Sequence, residues 1–114
     1  MTLEQVHQIG KERKILASDF RSLIFSRNTI IDSFQLEYNR HVKLTLKKPN
    51  QREALLDSLS RSRNMKKLQK EFLENKERIK DKQMACKVAK TSHRSAFLSY
   101  ESEIIGFRSK YINA

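Results

Sequence analysis

One residue constrains this chain more than any other. Pro49 stands in Lys47-Lys48-Pro49-Asn50, between two long tracts of helical periodicity, and it is the only proline among 114 residues. A proline ring removes a backbone donor and crowds the preceding turn, so a helix ends before it. The two glycines, Gly10 and Gly106, lie near the chain ends. One hard stop between two helical tracts predicts an all-α fold: two long helices in an antiparallel coiled-coil hairpin turning at Pro49. A chain of this length forms one domain. Arm one is expected over residues 2–47, the turn over 48–50 and arm two over 51–112.

The apolar spacing supports both arms. Thr2-Leu3-Glu4-Gln5 has the form of a capping box, with Gln5 three residues after Thr2. Val6, Ile9, Leu16, Phe20, Leu23, Ile30, Phe34 and Leu44 follow at alternating three- and four-residue spacing; Arg13, Arg27, Glu37 and His41 occupy the remaining core slots. A second line, Ala17, Ile24, Ile31 and Tyr38, makes the stripe wider than a two-stranded seam. After the proline, Asn50-Gln51-Arg52-Glu53 repeats the cap pattern. Arm two carries Leu55, Leu59, Met65, Leu68, Phe72 and Ile79, turns small or polar through Gln83, Ala85, Cys86 and Ala89, then shows Phe97, Tyr100, Ile104, Phe107 and Tyr111. Its weakest stretch is Ser60-Arg61-Ser62-Arg63-Asn64, where Ser and Asn compete for backbone hydrogen bonds. A break there would give a short middle helix.

Folding at Pro49 pairs residues whose numbers sum to about 99. Phe34 then faces Met65, Phe20 faces Ile79 and Val6 faces His93. Arm one is exhausted near residue 97, and the end of arm two projects by ~25 Å at 1.5 Å per residue. That end holds the aromatic stripe. An apolar face of this kind is buried against another molecule, against arm one, or in a dimer.

Charge is concentrated. Lys and Arg number 24 against 13 Asp and Glu, a formal net charge of +11. Residues 61–94 hold twelve basic against four acidic side chains. Under the fold, Lys11, Arg13 and Lys14 come level with Lys82, Lys87, Lys90 and Arg94, making a basic belt below the aromatic tip. Such a field favours acidic partners and steers their approach.

The sequence offers no catalytic constellation, no metal-ligand spacing and no glycine-rich phosphate loop, so no cofactor is expected. One cysteine, Cys86, forms no internal disulfide. Met1-Thr2-Leu3-Glu4-Gln5 lacks a signal pattern, and the most apolar run contains Ser26, Arg27 and Asn28, which argues against membrane insertion. A helical nucleic-acid binder is the second reading, but Glu71, Glu74, Glu77 and Asp81 interrupt the basic tract and stacking aromatics are absent from its middle. A dimeric secretion chaperone or adaptor is the third.

The whole chain resembles the central stalk proteins of type III secretion ATPases, the FliJ/YscO/EscO family. It shares their small, basic, helical hairpin design, with a longer second arm ending in aromatics. Arg63-Asn64-Met65-Lys66-Lys67-Leu68-Gln69-Lys70, onward through Arg78-Ile79-Lys80, has the Gln/Lys-rich texture of that family's second helix. The resemblance implies a cytoplasmic protein, peripheral at the inner-membrane secretion apparatus. It implies that the terminal end enters the pore of a homohexameric ATPase and that the turn end meets an export gate protein, with secretion chaperones as further partners. The ATPase contacts would fall on Lys11, Arg13, Lys14, Lys82, Lys87, Lys90, Arg94, Phe97, Tyr100, Ile104, Phe107 and Tyr111. Leu55, Leu56 and Leu59 are the gate candidates.

Overall fold

A computed structural model describes residues 1–111, with side chains through residue 108. It is all-helical over the described residues: α1 (Leu3–Thr45), α2 (Gln51–Arg61) and α3 (Arg63–Tyr111). The second arm is therefore two helices rather than one. The division falls at Ser62, which takes an extended conformation (φ −69°, ψ 121°). Its hydroxyl accepts from the Met65 N–H at 3.2 Å and caps α3, so the serine-rich stretch resolves its competition by starting a new helix.

The other ends follow their residues. Thr2 and Gln5 form the expected capping box: the Thr2 N–H donates to Gln5 Oε1 at 2.8 Å, and the Gln5 N–H donates to Thr2 Oγ1 at 3.2 Å. Thr2→Ala removes one of these bonds and should cost about 1 kcal/mol of stability, read as a shift of the urea midpoint. At the start of α2 the expected cap differs. Asn50 sits there in the left-handed region (φ 53°), without a side-chain cap bond. Asparagine tolerates that backbone, and here it supplies the turn rather than the cap.

Cα packing divides the chain into two compact units, one of Met1–Arg21 with Lys80–Ala114 and one of Ser22–Ile79. In the second unit Phe34 packs edge-on against Phe72, ring centroids 6.2 Å apart at 80°. The Asn75 amide donates to the Leu23 carbonyl at 3.1 Å. Met65, Leu68, Phe72, Asn75 and Ile79 form the covered line of α3 there, each buried or half-buried. In the first unit the covered line is Lys82, Cys86, Ala89, His93, Ala96 and Tyr100. Both lines keep alternating three- and four-residue spacing.

On α1 every expected core slot from Val6 to His41 is buried or half-buried, including Arg13, Arg27, Glu37 and His41. Leu44 departs from the pattern at 59% exposed, while Thr45 is 3% exposed. A strict seven-residue repeat falls behind a 3.6-residue helix by about 20° per heptad, and the step from His41 to Thr45 restores the face.

Several side-chain contacts lie close to the expected register and others a few positions from it. Near the turn it holds, with Ser58 on His41 and Ser62 on Glu37. Farther out, Asn75 bonds Leu23 and Lys82 turns to Asp19, still close to that register, while Phe34 packs on Phe72 and His93 lies beside Gly10 and Arg13. Helical side chains lean toward their own N-terminus. Such a lean moves side-chain contacts a few positions from a pairing made on backbone level alone.

Candidate functional site

The unit of Met1–Arg21 and Lys80–Ala114 contains nearly all the residues singled out for a partner. Its cations are distributed over a cleft, an ion pair, a groove and open surface. Lys11, Arg13 and Lys14 share a cleft of about 490 Å³ with His7, Gly10, Ala17 and His93. The spacing of His7, Lys11 and Lys14 places them along one face of α1. His93 comes from α3, and its Nδ1 lies 3.3 Å from Arg13 Nη1. Lys82 is half-buried and turns to Asp19, Nζ to Oδ2 3.7 Å. Lys87 borders a separate shallow groove with Val88, Thr91, Ser92 and Ser95. Lys90 and Arg94 are exposed.

The apolar end of α3 is placed by the same helical frame. Ala96, at 3% exposed, occupies the covered line, so the next residue, Phe97, is turned to the flank at 52% exposed. Leu98, Ile104, Ile105 and Phe107 are also exposed, and Tyr100 is half-buried. The Tyr111 side chain lies outside the described residues. The start of the chain lies beside this stretch of α3. The Met1 ammonium reaches the Glu103 carboxylate at 2.7 and 2.9 Å.

A second cluster, in the unit of Ser22–Ile79, was not singled out by sequence. Glu37 Oε1 accepts from Arg40 Nη2 at 2.7 Å, His41 Nε2 at 2.9 Å and Ser62 Oγ at 3.1 Å. His41 Nδ1 bonds the Ser58 hydroxyl. Glu37, His41 and Ser62 are all buried. This network joins α1 to α2 and to the cap of α3. Carboxylate, imidazole and hydroxyl stand in the order used by acyl-transfer sites. Ser58 lies within α2, however, where the backbone N–H groups are taken up by helix bonds and cannot serve as oxyanion donors. The arrangement is suited to fastening the three helices. The signal for it was present: two polar residues in core slots of α1 opposite the serine-rich stretch.

The Arg40 hydrogen bond, opposed by burial and aided by His41 and Ser62, pulls the Glu37 carboxyl from 4.5 to about 2. A carboxyl depressed on folding stabilises the protein above its unfolded value, and that contribution is lost as pH falls toward 2. The urea midpoint should therefore fall between pH 5 and pH 2, and fall less in Glu37→Gln. Equal slopes in the two proteins would remove Glu37 as the cause.

Of the gate candidates, Leu55 and Leu59 are half-buried and Leu56 is 60% exposed. Among the described residues no cluster of three or more His, Cys, Asp or Glu could hold a metal ion, and no helix is long and apolar enough to cross a membrane. No family model, curated protein or solved structure matches this chain.

Proposed function

We propose that this chain is a non-enzymatic coiled-coil stalk, an antiparallel hairpin that docks in the pore of a homohexameric type III secretion ATPase and couples it to the export apparatus. Supporting this reading is one observation above the rest. A single compact unit exposes both large apolar residues (Phe97, Leu98 and Ile105) and, on the same helix, basic residues (Lys87, Lys90 and Arg94). Apolar side chains would anchor such a contact, and the cations would steer it and set its register against an acidic pore lining. The end near the turn, with Leu56, would meet the export gate protein. The place of action would be cytoplasmic, at the inner-membrane apparatus, with secretion chaperones as further partners.

The test is the secretion ATPase of the source organism, assayed with the wild-type chain and with Lys87→Glu/Lys90→Glu/Arg94→Glu. The reading expects stimulation by the wild type and loss of it in the variant, with helicity retained.

A further inference from the structure

We propose that the cleft between α1 and His93 is a binding site for a small phosphate-bearing anion. Lys11, Arg13 and Lys14 line it together with His7 and His93, and no carboxylate is among its lining residues. A volume of about 490 Å³ lies within the range of small-ligand sites, about 300–1,000 Å³. The floor is small by construction, because Gly10 and Ala17 present almost no side chain.

Gly10 also explains how His93 is held. A Cβ at position 10 would stand 3.1 Å from His93 Nε2, so the ring lies directly over the glycine. Arginine has only donors, and therefore Nδ1 of His93 accepts from Arg13 Nη1. The Nε2 edge of the ring is the one set against Gly10, so the donors offered to the cleft are the Arg13 guanidinium and the two exposed ammonium groups of Lys11 and Lys14. Cations three residues apart on one helix face repel, and an anion between them relieves that repulsion. The donor set of guanidinium and ammonium groups suits phosphate oxygens, each of which accepts several bonds. The cleft shares Lys11, Arg13 and Lys14 with the proposed ATPase contacts, but this site does not rest on that reading, since binding is measured on the protein alone.

The probe is inorganic pyrophosphate, titrated into the full chain at low salt and followed by amide and imidazole NMR. Saturable shifts centred on Gly10, Lys11 and His93 are expected. Losing two charge-assisted contacts in Lys11→Ser/Lys14→Ser should weaken binding about 100-fold, at about tenfold each. Both lysines are exposed, so the fold should survive the change. A control, Lys87→Ser/Lys90→Ser, should bind as the wild type does. A parallel titration with ADP identifies the source: tighter binding than pyrophosphate assigns a nucleotide, and weaker binding assigns a free phosphate anion. Shifts that never saturate, or that respond equally to both double variants, would mean general screening of a basic protein and would overturn the site.

Discussion

Phe72→Ala should lower the unfolding free energy by about 2–3 kcal/mol, below the 3–5 kcal/mol of a fully buried phenylalanine because the ring is only half covered. The expected fall in Tm is roughly 10 °C or more for a domain of this size. The magnitude follows from how little apolar core exists. Among the described residues only Val6 and Ala96 are buried hydrophobics, at 5% and 3% exposed. The half-buried seam must supply the rest, and the edge-on Phe34–Phe72 pair adds ring–ring attraction to area burial. Phe25 provides the contrast. It is 74% exposed, and Phe25→Ala should stay within about 0.5 kcal/mol. Equal losses in the two variants would show that the seam is misassigned.

The second large effect concerns partner binding. Reversing Lys87, Lys90 and Arg94 changes the local charge by six and places three carboxylates where the proposed acidic lining approaches. Cations at the rim act mainly on association, whereas any one desolvated in the contact contributes several kcal/mol to lifetime. A loss of affinity of at least about 100-fold is therefore expected, together with a steep weakening of wild-type binding as salt rises past about 0.15 M. These residues are exposed in the free chain, so the circular dichroism spectrum and Tm should change little.

Much of the helical content could be read from residue spacing. The alternation from Val6 to His41 marked the covered face of α1, including its polar members, because core slots follow position rather than residue type. The capping box at Thr2 and the break near Ser62 were visible as local chemistry. Less legible was the covered line of α3. Asn75, Lys82, His93 and Ala96 hold seam positions there without hydrophobic bulk, so an apolar pattern passes over them. Phe97, the bulky residue of that stretch, stands one position off the line. Nor does sequence spacing show that Gly10 and His93 meet, or that Lys82 turns to Asp19 while Lys11 and Lys14 stay in a cleft. Those placements depend on how side chains lean from their own helices.

The proposed role is tested most directly by the hydrolysis rate of the hexameric secretion ATPase, measured against increasing stalk protein at constant ionic strength. The account predicts a saturable rise with the wild-type chain and no rise with the folded Lys87→Glu/Lys90→Glu/Arg94→Glu variant. Equal stimulation by both proteins, or none by the wild type, would contradict it.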